Sequence, residues 1–214
     1  LWTKEELEGK RDSVELRRAR EVHPIVDTVD LLLDIHSMQT NTLPLIVAGP
    51  LQKGREFAKQ FGIPETVLTD SGHKAGRRMR DYESFSDPNT TRNALLIECG
   101  QHWEVSSSEL AITAAWRFLS MLGVVSEETA APHLRVQPPD QQQFVEVSGP
   151  YTIQTDSFSF VDKYVGLEVI PSAETIIGYD GDEPVKTPYN NCILIMPSRR
   201  QLPGDTAVRF GKYV

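Results

Sequence analysis

Two short apolar runs that each end in ionisable residues constrain this chain most: VDLLLDIHSMQ at 29–39 and NALLIECGQH at 93–102. Continuous apolar runs of this length read as strands of a parallel sheet covered on both faces. Residues 45–49 form another such run. Helical patterns lie between them. Residues 5–28 are expected as one helix, with Leu7, Val14, Leu16, Val22 and Ile25 facing inward. Residues 54–61 form a short helix stopped by Gly62 and Pro64. Residues 107–122 form another, capped by one of Ser106, Ser107 and Ser108 and ended by Gly123. Strands alternating with helices give an α/β fold: an open, mostly parallel sheet with flanking helices.

The pattern changes near Thr129. Residues 132–143 are rich in Pro and Gln, as a linker or domain edge would be. Short β-type runs follow at 144–147, 151–155, 167–170 and 192–196, punctuated by Gly and Pro. The expected organisation is therefore an α/β domain over 1–131 and a small all-β domain over 132–214. Residues 71–88 are a long polar stretch rich in Gly, Arg and Asp, and such loops are usually functional or disordered.

Composition excludes some partners. A net charge of −8 argues against a nucleic-acid surface. No run approaches the roughly 20 apolar residues of a membrane span. The two cysteines, Cys99 and Cys192, lie in apolar runs and make no disulfide framework, so buried free thiols in a reducing cytoplasm are expected.

In an open α/β sheet, ligands collect at the carboxyl ends of the strands. If the first and third apolar runs are neighbours, His36 and Glu98 face one crevice. A His at a strand end can bind Zn²⁺ through one ring nitrogen while a carboxylate holds the other. Asp34, two residues back, points to the same side of an extended strand and can supply that hold. Glu98 then suits the base that takes a proton from water. A plainer reading also stands: a hydrogen-bonded strand-end His and a solvated acid, since zinc hydrolases use three protein ligands.

The other candidates are less defined. His23, at the end of the first helix, reads as structural. His73 suits a substrate contact or a plain loop residue, His102 lies four residues after Glu98 and can line the crevice, and His133 suggests no role. The loop 72–82 carries Lys74, Arg77, Arg78 and Arg80, which suit either an anion site for a substrate carboxylate or a solvated loop. Arg92 directly precedes the Glu98 strand and is the Arg most expected to meet a ligand. Arg80 is a second such candidate, and Tyr82 and Tyr189 are candidate hydroxyl donors.

DIHS at 34–37 resembles the Asp-x-His motif that supplies a zinc ligand in the succinylglutamate desuccinylase/aspartoacylase family. LLIECGQH at 95–102 resembles that family's strand bearing the catalytic Glu, and 180–198 is similar to the β domain of its bacterial members. The resemblance implies a zinc-carboxypeptidase-like fold and hydrolysis of the amide bond of a small anionic N-acyl amino acid. It further implies His36 as zinc ligand, Asp34 behind it, Glu98 as general base and Arg92 as a match to a substrate-binding Arg after a Thr-Thr pair.

One departure stands out. The family's other two zinc ligands come from an earlier His-x-x-Glu motif, which this sequence lacks. Leu1-Trp2 resembles the pair that follows the family's substrate-binding Asn-Arg, so the chain is expected to begin downstream of those parts. Two rival functions stay open: a metallocarboxypeptidase acting on peptides or cell-wall fragments, and a non-catalytic binding protein of the same fold. Partners are expected to be a small-molecule N-acyl amino acid, with no nucleic acid or membrane; homo-oligomerisation is left open.

Overall fold

The computed structural model describes residues 2–70 and 76–214. At its start are two helices, α1 (Lys4–Glu8) and α2 (Val14–Val26), where one helix over 5–28 was expected. Gly9 ends α1, and a Cβ there would fall 2.3 Å from the Glu5 carbonyl oxygen. Ser13 starts α2 by accepting from the Leu16 amide at 3.2 Å. The Arg20 guanidinium donates to the carbonyls of Glu6, Leu7, Gly9 and Arg11, satisfying the exposed carboxyl end of α1. The break turns Val14 and Ile25 outward, 70% and 65% exposed, while Leu7 and Leu16 are buried as expected.

The next elements are β1 (Leu31–Met38), β2 (Leu45–Val47), α3 (Gln52–Phe61), β3 (Thr66–Thr69) and β4 (Asn93–Gln101). Helices α4 (Val105–Met121) and α5 (Glu127–Ala130) follow, then β5 (Gln143–Thr152), β6 (Phe158–Phe160) and β7 (Val169–Ile170). Last come β8 (Ile176–Asp180), β9 (Glu183–Lys186), β10 (Cys192–Ile195) and β11 (Thr206–Tyr213). Eight strands form one sheet in the order β1-β4-β2-β3-β5-β11-β10-β7, and β6-β8-β9 form a second. The large sheet is mixed: β1/β4, β2/β3 and β3/β5 run parallel, whereas β2/β4 and the pairs from β5 to β7 run antiparallel. The β3/β5 pair carries the sheet across from the first half of the chain to the second.

Alternation along β4 assigns its two faces. Leu95, Ile97 and Cys99 pack with Phe57 and Phe61 of α3 and Leu110 and Phe118 of α4. Each large apolar side chain so buried contributes about 1.5–3 kcal/mol. Leu96 faces the opposite way, into a core with Leu45, Val47, Leu68 and Ile193. Glu98 shares that second face by its period of two. The strand is held rigidly from both sides, and β1 is the sheet's edge, leaving Ile35 42% exposed. Among the described residues no helix is long and apolar enough to cross a membrane.

The polar stretch before β4 folds into two 3-10 turns, Met79–Asp81 and Glu83–Ser86. Lys53 of α3 gathers it by donating to the carbonyls of Ser84, Asp87, Thr90 and Arg92. Arg80 and Asp81 lie buried against each other.

Candidate active site

β1 and β4 are adjacent and parallel, and His36 is the direct register partner of Glu98. Asp34, on the same side of β1, has its Oδ1 3.0 Å from His36 Nε2. That contact leaves Nδ1 as the ring's free donor position. The Asp34 hydrogen bond raises the His36 pKa despite partial burial, with Glu98 reinforcing it. A register shift just past His36 interrupts the regular pairing, which resumes at Met38 and Gln101.

Glu98 is the unusual member. Its Oε2 is buried and has no hydrogen-bond partner. Burial pushes its pKa up, Asp34 adds to this, and His36 and Arg78 pull it back down. A buried carboxylate oxygen without a partner is costly, and such groups concentrate where chemistry needs them. Glu98 borders a cavity of about 370 Å³ walled also by Met38, Thr40, Thr42, Met196 and Arg199. The next residue, Cys99, points into the helix-covered core, where burial lifts its thiol to about 12 and leaves it inert.

The remaining candidates are placed elsewhere. Arg92 sits at the opposite end of β4, donating from Nε to the Val29 carbonyl at 2.8 Å and from Nη2 to the Val26 carbonyl at 2.7 Å. Its guanidinium also lies 4.8 Å from the Phe85 ring centre. Six extended residues put it roughly 20 Å from Glu98. Arg80 is 2% exposed, paired with Asp81 and donating to the Ala48 and Ala94 carbonyls. Gly49 makes room for it: its φ is +72°, and a Cβ there would fall 2.0 Å from Arg80 Nη1. Tyr82 is buried, with its hydroxyl 3.0 Å from Asp27 Oδ1. The contacts of Arg80 and Tyr82 hold the 3-10 turns, those of Arg92 hold the carbonyls at the end of α2, and none of the three lines the Glu98 cavity. Tyr189 bonds Ser148 in the C-terminal core.

Arg78 donates to Asp70 at 2.9 Å, and Arg209 meets the same carboxylate oxygen at 2.8 Å. His102 reaches the β1 tip through Ser37 rather than His36. His23 pairs with Asp27, and His133 stacks on Trp116. His73 and Lys74 lie outside the described residues.

Zinc fits this edge in part. His36, oriented by Asp34, is a well-formed imidazole donor, and the orphaned Glu98 oxygen suits a base beside an activated water. No group of three His, Cys, Asp or Glu able to hold a metal occurs among the described residues, so a metal here would draw at most His36 from them. The sequence reading missed the cavity's far wall, Thr42 and Arg199. A signal was present: CILIMPSRR at 192–200 is again an apolar run that ends in charge.

No family model and no curated protein matches the sequence. Solved structures do. Succinylglutamate desuccinylase from Vibrio parahaemolyticus aligns with 100% of this chain at 18% identity and a TM-score of 0.69, over 64% of its own length. The desuccinylase from Vibrio cholerae aligns with 95% of the chain at 18% identity and 0.68, over 62% of its length. Murine aminoacylase 3 aligns with 100% at 13% identity and 0.60, over 75% of its length. The chain thus spans under two thirds of the two desuccinylases. Its fold is that of the succinylglutamate desuccinylase/aspartoacylase structures.

Proposed function

We propose that the His36–Glu98 edge is the working part of a zinc-dependent amidohydrolase that deacylates a small anionic N-acyl amino acid. The observation that carries this reading is the register pairing of His36 with Glu98, whose buried Oε2 has no partner. The names of the similar structures, desuccinylase and aminoacylase, support it.

His36 would hold the metal through Nδ1, with Asp34 fixing the ring. When bound, zinc supplies Lewis-acid polarisation of the acyl carbonyl. Glu98 takes a proton from the attacking water as the C–O bond forms. It returns that proton to the nitrogen as the C–N bond breaks, releasing acid and amine. Its raised pKa suits both halves of that transfer, because a more basic carboxylate takes up the proton more readily and can still hand it on. The cavity, at about 370 Å³, is near the small end of ligand sites, which favours a small substrate over a peptide.

The test is acid release from a panel of N-acyl amino acids by the protein supplied with Zn²⁺. Glu98→Gln is expected to lower turnover by about 10²–10⁴-fold, the usual contribution of a general base. A variant as fast as the parent removes Glu98 from the mechanism. Cleavage of peptides but not N-acyl amino acids makes the protein a carboxypeptidase. Ligand binding without turnover makes it a binding protein.

A further inference from the structure

We propose that the segment 84–92, which leads into β4, is a binding site for a large monovalent cation, and that the Lys53 ammonium is its built-in occupant. The Glu98 cavity and its chemistry play no part in this site.

Lys53 reaches from α3 into a ring of oxygens drawn from that one segment. Its Nζ lies 2.6 Å from the Asp87 carbonyl and 2.7 Å from that of Arg92. The Thr90 and Ser84 carbonyls stand at 3.2 and 3.3 Å, and the Thr90 hydroxyl at 3.5 Å. An ammonium has three N–H bonds to donate, so these oxygens outnumber its hydrogens. Such a surplus is the shell of an ion, in the way that carbonyls replace the water around K⁺ in a channel filter. Ca²⁺ takes oxygens at about 2.3–2.6 Å and Mg²⁺ at about 2.0–2.1 Å, both with help from carboxylates. The ring around Lys53 is wider and uncharged, which suits a larger ion of single charge.

The segment is folded so as to aim these carbonyls. The Ser84 carbonyl is held by the Thr90 hydroxyl at 2.7 Å and by the Asp87 amide at 3.3 Å. The Thr90 amide donates to the Asp87 carbonyl at 3.4 Å. Phe85 is buried and anchors the turn, with the Arg92 guanidinium 4.8 Å from its ring centre. The Asn93 side chain donates back to the Lys53 carbonyl at 2.8 Å, so α3 and the start of β4 close on the site together. Carbonyl dipoles that converge on one point repel each other unless a positive charge sits there.

The charge is balanced from outside the ring. The Asp87 carboxylate accepts from the Asn89 amide and side chain at 2.8 and 3.0 Å. Burial pulls the Lys53 pKa down, and the Asp87 charge opposes that pull. The carbonyls answer the cost of taking the ammonium out of water.

Lys53→Ala tests the site, because it removes three methylenes and the ammonium and leaves every carbonyl in place. Urea unfolding is measured at one ionic strength in the chlorides of potassium, ammonium, n-propylammonium and tetramethylammonium, the last too bulky to enter. The folding constant of Lys53→Ala is expected to rise about tenfold in potassium or ammonium over tetramethylammonium, once the ion stands about tenfold above its dissociation constant. n-Propylammonium restores the deleted atoms and is expected to do at least as well. The parent and Lys53→Met, whose apolar stem occupies the space, are expected to show no preference among the salts. If Lys53→Ala is unfolded in tetramethylammonium, recovery of its native circular dichroism in potassium or ammonium is the readout. Rescue by n-propylammonium alone overturns the proposal, since the segment then fits a lysine stem and not a cation. An equal salt response in all three proteins, or a Lys53→Ala chain that no ion restores, overturns it as well.

Discussion

Two carboxylates in this molecule are treated in opposite ways. Asp180, at the end of β8 in the smaller sheet, accepts from the Tyr151 hydroxyl, the Gln154 and Thr155 amides and the Thr155 hydroxyl, at 2.6–2.9 Å. Burial alone would raise its pKa, but these donors outweigh it and bring it down to about 2. Glu98 has a buried oxygen with no donor at all, and its pKa moves up. Asp180 is a structural pin. Glu98 costs the fold stability, and the fold keeps it at the mouth of a cavity. The contrast teaches that donors, more than burial alone, decide which way a carboxylate's pKa moves in this chain.

The cations sort the same way, and substitutions test the sorting. Arg80 is fully engaged, so Arg80→Met leaves buried Asp81 with only the longer Arg78 ion pair and is expected to cost about 3–5 kcal/mol in urea unfolding. An effect under about 1 kcal/mol would mean Arg80 is not a brace. Arg92 holds two carbonyls from a half-buried position, so Arg92→Met is expected to cost about 2 kcal/mol while leaving kcat of the folded protein unchanged. A loss of turnover at full stability would return Arg92 to the site.

The smallest effect concerns Asp180. With a folded pKa of about 2 against an ordinary value of about 4, its stabilisation is present above pH ~4 and is lost as pH falls toward 2. Tyr151→Phe withdraws one donor and raises that folded pKa. Acid unfolding followed by circular dichroism should then begin at higher pH, with little change at neutrality. An unmoved acid limb would show that Tyr151 does not support Asp180.

The strand tips were legible because their signal is local. An apolar run that ends in Asp-x-His, and another that ends in Glu, announce a rigid support with chemistry at its end. The braces were not legible, because their partners are remote in sequence. Arg80 meets carbonyls 14 and 32 residues away, and Arg20 reaches back 9–14 residues to end α1. Nothing in GRRMRDY distinguishes a buried brace from a free cation. The strands β3, β6, β8, β9 and β11 were missed for a related reason: they are short or carry Gly, Pro and charged residues, and their pairing within the sheets, not their composition, makes them strands.

On the proposed reading, Glu98 is kept unsatisfied for chemistry. Thermal unfolding and N-acyl amino acid hydrolysis, measured on the same preparation of Glu98→Gln, test it most directly. An unfolding temperature equal to or above the parent's is expected, because a buried carboxylate oxygen without a donor is gone, together with loss of turnover. A variant that unfolds at lower temperature and still hydrolyses its substrate would make Glu98 a structural residue and contradict the account.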